Sequence, residues 1–308
     1  MKWIKKGLIY APDHRMPWAE HSALTPTPFL LSDEVIRVYA GFRDCRGVSR
    51  IGFVDVDADN PSKIVAISEV PILDVGIPGT FDDNGVILGD VIRHDGKVYM
   101  YYVGFQLVEK VKFLAFTGLA ISTDGGTTFT KYADIPVMDR ANEGLFFRAI
   151  HSVVVEDGVW KCWYGVGSEW SEINGGKYPI YKTHYIESKD GVDFGKVGRL
   201  CIDFKDDEYR IGRPRVQKIG TQYRMYYTVG TLRGTYLPGY AVSSNGFHWT
   251  RMDADVGIAP SDAGWDSKEL SYTAPIVQGG KEYLFYNGNE MGKTGFGYAE
   301  RTYYGASQ

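Results

Sequence analysis

Lys97-Val98-Tyr99-Met100-Tyr101-Tyr102-Val103-Gly104 is written five times in this chain, with variations. The other copies are Val35-Ile36-Arg37-Val38-Tyr39-Ala40-Gly41, Val159-Trp160-Lys161-Cys162-Trp163-Tyr164-Gly165, Gln222-Tyr223-Arg224-Met225-Tyr226-Tyr227-Thr228 and Glu282-Tyr283-Leu284-Phe285-Tyr286-Asn287-Gly288. Aligning Tyr39, Tyr102, Tyr164, Tyr227 and Tyr286 gives steps of 63, 62, 63 and 59 residues. Aromatic and β-branched residues dominate each copy and suit a pleated, buried surface, so each copy predicts a strand. A repeat of this length is the first thing to explain.

A second pattern recurs in the same rhythm. Ser122-Thr123-Asp124-Gly125, Ser188-Lys189-Asp190-Gly191 and Ser243-Ser244-Asn245-Gly246 each follow a strand-like run and precede an aromatic, namely Phe129, Phe194 and Phe247 with Trp249. Asp-Gly and Asn-Gly accept the positive φ of a tight turn. Three copies at repeat spacing argue for architecture over a calcium loop or a nucleophile. The aromatic is expected to fold back onto its own sheet. His94-Asp95-Gly96 is one more hairpin signal, ahead of the opening stretch.

Each unit therefore reads as a meander of about four short antiparallel strands in about 62 residues. The expected fold is all-β, a five-bladed β-propeller forming a single domain over 1–308. The blades run roughly 21–78, 79–140, 141–203, 204–262 and 263–308, with a terminal strand available to close the ring. Residues 1–20 read as an irregular lead-in, broken by Gly7, Pro12 and Pro17. Long helices are not expected.

Composition agrees and narrows the function. Of 308 residues, 44% are hydrophobic and 14% aromatic, with 22 Tyr, 7 Trp and 37 Gly. That is enough to build a large core and many turns. The net charge is −4 and no basic block occurs, which argues against nucleic acid. No apolar run is long enough for a membrane span, and the first residues lack a signal-peptide core. Cys45, Cys162 and Cys201 are far apart, without metal-ligand spacing, and read as reduced, mostly buried thiols. A cytoplasmic location is expected, with no metal and no cofactor. No Gly-rich phosphate loop stands between a strand and a helix.

The innermost strand of each propeller blade lines a central funnel. Polar residues roughly 14 to 21 positions before each aligned Tyr are therefore the site candidates. They are Glu20 and His21, Asp82 and Asp83, Glu143 and Arg148, then Glu208, Arg210 and Arg213, then Asp266 and Glu269. The ends of the second strands add Arg43, Asp44, Gln106, Glu169, Trp170, Asn287 and Asn289. Paired carboxylates around a pocket serve acid/base cleavage of a glycosidic bond. Arginines keep carboxylates ionised and grip phosphate or carboxylate bidentately. Trp170 or Trp265 is available to stack on a sugar face, although core packing is the commoner role of a lone Trp.

The stretches Val38-Tyr39-Ala40-Gly41-Phe42-Arg43-Asp44 and Gly118-Leu119-Ala120-Ile121-Ser122-Thr123-Asp124-Gly125 carry a resemblance. It continues in Arg213-Pro214-Arg215-Val216, Gly264-Trp265-Asp266-Ser267, Phe285-Tyr286-Asn287-Gly288-Asn289 and Gly292-Lys293-Thr294-Gly295-Phe296-Gly297. Over nearly its full length the chain resembles the five-bladed propeller superfamily of invertases, arabinanases, β-xylosidases and mannoside phosphorylases. Within it, the chain is most similar to a bacterial branch of glycosylases related to the propeller domain of plant glucosamine inositolphosphorylceramide transferases. The resemblance implies a carbohydrate-active enzyme. Asp83 matches the blade-two Asp of those families, and Arg43-Asp44 resembles their Arg-Asp pair. Their blade-one Asp is missing, because that region reads Ala19-Glu20-His21-Ser22.

The leading expectation is hydrolysis or glycosyl or phosphate exchange on a glycoside or an activated sugar, phosphorylated or nucleotide-linked, in the funnel. A role in surface-glycan biosynthesis follows from the expected location. Asp83 is assigned as base or nucleophile, Glu208 as general acid (Glu143 second), and Asp44 as the group orienting sugar hydroxyls. His21, Arg43, Arg148, Trp170, Arg210, Arg213, Glu269 and Asn289 are assigned to substrate binding. The alternative is a sugar-binding module without catalysis, for which the missing Asp speaks. A protein-interaction scaffold is the third reading and calls for an apolar rim with no acid cluster. The partner expected is a small carbohydrate or sugar phosphate, and oligomeric state is open.

Overall fold

In the computed structural model, which describes residues 2–173, 175–234 and 236–303, the protein is all-β, 57% strand and 2% helix. The end of the expected fifth unit, 304–308, lies outside the described residues. The strands are β1 (Ile4–Tyr10), then β2–β5 (Ser22–Ser32, Val35–Arg43, Ser49–Asp57, Ile64–Ile67) and β6–β9 (Val86–His94, Lys97–Gln106, Leu114–Ser122, Thr130–Lys131). Next come β10–β13 (Phe147–Glu156, Val159–Ile173, Gly176–Ser188, Arg199–Ile202) and β14–β17 (Glu208–Ile219, Gln222–Thr231, Tyr236–Ser243, Thr250–Arg251). The chain ends in β18–β20 (Ser271–Gln278, Lys281–Asn287, Phe296–Thr302).

Pairing divides these strands into five successive antiparallel groups of four. The first four groups are β2–β5, β6–β9, β10–β13 and β14–β17. The fifth is β18, β19 and β20 with β1 added beside β20. Residues 4–10 are thus a strand and not an irregular lead-in. The periodicity of β1 is hidden in Ile4-Lys5-Lys6-Gly7-Leu8-Ile9-Tyr10, where the pairing register shifts twice. Short parallel contacts, β8 with β10 and β12 with β14, join the second, third and fourth groups into one sheet.

The repeated stretch is the second strand of each group, and it is buried on both faces. Its period of two sends alternate residues to opposite neighbours. Met100 and Tyr102 pack toward the first group, with Tyr39 and Phe29, whereas Tyr101 packs toward the third, with Trp160 and Cys162. Five apolar clusters repeat this scheme. Each joins consecutive groups, and one joins the fifth to the first through Phe285, Tyr298, Val38 and Phe42.

The Ser-x-Asp/Asn-Gly turns are architectural. Ser122, Ser188 and Ser243 each accept the N–H of the glycine that closes the turn, at 2.8, 3.0 and 2.9 Å. The aromatic after the turn reaches the preceding group, which corrects the expectation of packing on its own sheet. Phe129 meets Tyr39, Phe194 meets Tyr101, and Trp249 meets Trp163, all edge-on. The turn glycine's carbonyl accepts from the same partner: Gly126 from Tyr39, Gly191 from Tyr101 and Gly246 from Trp163. Each turn therefore clamps one group to the one before it. Of the cysteines, Cys162 is buried, but Cys45 is exposed, since it sits in the turn between β3 and β4.

Candidate functional site

Every first strand of a group carries a bulge at the same phase. The register breaks between Leu24 and Thr27, Leu88 and Asp90, Ile150 and Ser152, Gly212 and Arg215, and Ser271 and Ala274. Those sites lie 13 or 14 residues before the aligned tyrosines. Bulges re-aim side chains. Thr25, Arg213 and Tyr272 hold φ of 53°, 55° and 56°, a conformation costly for residues with a side chain. Together with His151 they line one cavity of about 250 Å³ to which all five groups contribute.

Arg213 forms the floor. Its guanidinium donates to the carbonyls of Leu88 and of Gly89 (2.8 Å), to Thr25 O (3.2 Å) and to Thr27 Oγ1 (2.5 Å). A residue of the fourth group thus ties together the first two. Burial, then the charge of Arg215, lowers its pKa to about 9. His151 is fully buried beside it, and burial followed by Arg213 and Arg215 pushes its pKa well below 6.5. The ring is neutral.

Two more guanidiniums enter the cavity, Arg43 from the end of β3 and Arg210 from the start of β14. Among the described residues neither makes an ion pair with a carboxylate, although the charge of Glu269 reaches Arg210, and the Nε of each is buried without a hydrogen bond. Arg210 is held by ring faces, with Tyr236 and Tyr209 centroids at 4.5 and 4.7 Å. Tyr236 and Tyr272 stand within electrostatic reach of both arginines. Burial lowers the pKa of Arg43. Lys112 and Lys177 complete the positive lining at the mouth. No Asp or Glu among the described residues lines this cavity. Glu269 is close: its Oε1 accepts the N–H of Met291, a lining residue, and burial raises its pKa above 4.5.

Of the residues assigned from sequence, Arg43, Arg210 and Arg213 thus meet in the cavity. The phase that gathered the carboxylates has another origin. The aligned tyrosines are fully buried, and their hydroxyls need acceptors. Tyr102 donates to Asp82 (3.2 Å), Tyr164 to Glu143 (2.7 Å) and Tyr286 to Asp266 (3.1 Å). Each carboxylate is also paired with a cation: Lys131 at 2.7 Å, Arg148 at 3.1 Å and Lys5 at 2.7 Å. In the fourth group Tyr227 uses Asp253.

The remaining candidates lie elsewhere. Arg148 is engaged with Glu143, Asp139 O and Gly195 O. Asp44 accepts the N–H groups of Arg46 and Val48 and pairs with Arg50, which closes its turn and, against burial, holds its carboxyl below the usual range. Glu208 forms a two-pronged pair with Arg251 at 2.7 and 2.8 Å and lines a separate cleft. Asp83 sits four residues before the lining residue Ile87, its Oδ2 accepting Gly79 N–H at 2.8 Å. His21 is exposed beside Ser22. Trp170 packs edge-on against Phe113, a lining residue. Asn289 accepts the N–H groups of Lys268 and Glu269. The sequence reading missed His151, Tyr181, Tyr236 and Tyr272. The prolines at Pro26 and Pro214 beside the bulges, and a phase of 13 or 14, were the available signal.

No protein-family model matches the chain. Two proteins of Mycobacterium tuberculosis, the uncharacterized proteins Rv1502 and MT1551, are each 33% identical over 301 residues, covering 97% of this chain and 99% of theirs. Among solved structures, a glycoside hydrolase superposes with a TM-score of 0.74 at 19% identity, covering 97% of this chain and 91% of its own. A structure from the GH130 family, of mannoside phosphorylases and glycoside hydrolases, gives 0.72 at 15% identity, covering 97% and 93%. A thermostable family-43 glycoside hydrolase gives 0.67 at 18% identity, covering 94% and 91%. The chain has the fold of these glycoside hydrolase-family proteins.

Proposed function

We propose, for a chain that belongs to the same family as Rv1502 and MT1551 of Mycobacterium tuberculosis, that the five groups are blades of a β-propeller whose central cavity transfers a glycosyl group from a negatively charged, activated sugar. The observation that carries this is the pair Arg43 and Arg210, which share one cavity without a carboxylate. A buried guanidinium without an ion pair keeps donors unused, and an arriving phosphate accepts them. The names of the structural neighbours, glycoside hydrolases and mannoside phosphorylases, support a carbohydrate.

Transfer fits better than hydrolysis. Glycoside hydrolysis uses two carboxylates flanking the bond, one of them protonating the leaving oxygen. No such pair lines this cavity. A sugar phosphate needs no such acid, because its leaving group departs as an anion and guanidiniums stabilise the charge as it develops. In this reading Asp83 takes the proton of the acceptor hydroxyl from outside the cavity lining, beside Asn84, whose N–H donates to the carbonyl of the lining residue Phe105 at 3.0 Å, and Glu208 serves the fold.

The test is a thermal-shift screen with inorganic phosphate, hexose 1-phosphates, nucleotide sugars and neutral oligosaccharides, since a ligand of the folded state raises its stability. Stabilisation by phosphorylated sugars that disappears in Arg43→Gln is expected. Stabilisation by neutral oligosaccharides alone sinks the reading. One observation favours a second reading, a sugar-binding module without catalysis: the cavity's lack of a carboxylate pair. Release of phosphate or nucleotide from a bound donor, with acceptor present, separates the two.

A further inference from the structure

The cavity has two unlike sides. Arg43, Arg210, Tyr236, Tyr272 and Thr228 come from the first, fourth and fifth groups. Ile87, Phe105, Phe113, Phe147, Pro179 and Tyr181 come from the second and third. The second side is mainly apolar: Phe105 meets Phe113 edge-on at 5.2 Å, and Phe147 stacks on Tyr181 at 4.8 Å. Its polar groups are His151, Lys112, Lys177 and the hydroxyls of Tyr178 and Tyr181, and no Asn, Gln, Asp, Glu or Ser side chain among the described residues lines it.

At the mouth the loop after β7 and the β11–β12 hairpin adjoin, with Val108, Glu109, Lys110, Lys112, Lys177 and Tyr178 lining one shared depression. Val108 and Tyr178 are 36% and 37% exposed. The apolar wall thus opens to the surface through a rim of mixed polarity.

Resting on the transfer reading above, we propose that the group leaving the activated sugar is the phosphate ester of an apolar alcohol, not a nucleotide. Its hydrocarbon lies along Ile87, Phe105, Phe113 and Pro179, and its phosphate on Arg43 and Arg210. A nucleobase carries several donors and acceptors on its edges. Placed against Ile87, Phe105, Phe113 and Pro179, whose side chains offer no donor or acceptor, they lose water without replacement, which is a penalty at each group. A hydrocarbon gains there in proportion to the area it buries. In the step, the bond between the anomeric carbon and the phosphate oxygen breaks. A bond from that carbon to the acceptor hydroxyl oxygen forms. The hydroxyl proton passes to Asp83 and on to solvent, and the alkyl phosphate departs with the electron pair.

The experiment is calorimetric titration of the full chain with hexose 1-phosphate, its octyl phosphodiester and a uridine diphosphate hexose. The octyl diester is expected to bind at least about tenfold tighter than hexose 1-phosphate. Phe113→Ser should remove most of that gain. An octyl diester no tighter than hexose 1-phosphate, or a nucleotide sugar tighter than both, overturns the inference while the transfer reading stands. Failure of all three to bind overturns the transfer reading and this inference with it. The series on the unaltered protein decides the matter even where Phe113→Ser does not fold.

Discussion

Arg213 directs a guanidinium nitrogen at the imidazole of His151, Nη1 to Nδ1 at 3.4 Å, on the floor of the cavity. Burial and the two neighbouring arginines, Arg213 and Arg215, keep that ring neutral far below its usual range. Unfolded, the ring takes up a proton near pH 6.5; folded, it does not. Stability is therefore intact above that pH and falls as pH drops through it, by about 1.4 kcal/mol per pH unit for one proton. Burial lowers the pKa of His184 too, so it adds in the same direction. Urea midpoints at pH 7.5 and 5.0 check this. His151→Gln should show the smaller acid loss of the two proteins, and an equal loss would count against the assignment.

Arg213 itself ties the fourth group to the first and second. Arg213→Met leaves the carbonyls of Thr25, Leu88 and Gly89 without their donor. Buried acceptors left unmet cost about 1–3 kcal/mol each. A loss of at least about 3 kcal/mol in denaturant unfolding is expected, and Arg213→Lys should not restore it, because an ammonium lacks the planar fork.

Arg43→Gln and Arg210→Gln should behave differently. Neither cation makes an ion pair in the free protein, so the melting temperature should change little, with Arg210→Gln also losing the ring faces of Tyr209 and Tyr236. Binding of a sugar phosphate should weaken at least about tenfold, roughly 1.4 kcal/mol. A variant that melts lower and binds normally would contradict the anion-site reading.

Tyr102→Phe and Asp82→Asn remove two halves of one buried contact. Each should cost about 1–3 kcal/mol of stability, and the double variant should cost less than their sum. Ligand affinity should not change. A loss of affinity at unchanged stability would instead place Asp82 in the site.

Glu208→Gln and Asp83→Asn separate fold from chemistry. Glu208→Gln weakens the two-pronged pair with Arg251 and should lower stability while turnover persists. Asp83→Asn should lower turnover and leave the unfolding midpoint nearly unchanged. The reverse pattern would make Glu208 the functional carboxylate.

Much of the architecture was legible because it is periodic. The five copies around Tyr39, Tyr102, Tyr164, Tyr227 and Tyr286 are five second strands, each buried on both faces. The Ser-x-Asp/Asn-Gly turns formed as their chemistry dictates. Local pattern sufficed for both, since strand period and turn geometry are set by neighbours in sequence. β1 escaped notice because its pairing is with β20, almost 300 residues away, and its own alternation is interrupted.

By itself the sequence determined the repeat, the strands and a phase at which polar residues gather. Only the tertiary structure decided what that phase meant. Asp82, Glu143 and Asp266 share it because three buried tyrosine hydroxyls require acceptors, a demand that arises once the strands are packed on both faces. Thr25, His151, Arg213 and Tyr272 converge because a bulge in every first strand turns them inward. Spacing along a chain reports which residues are equivalent. Which of them make no ion pair, as Arg43 and Arg210 do not, depends on contacts between groups that are distant in sequence.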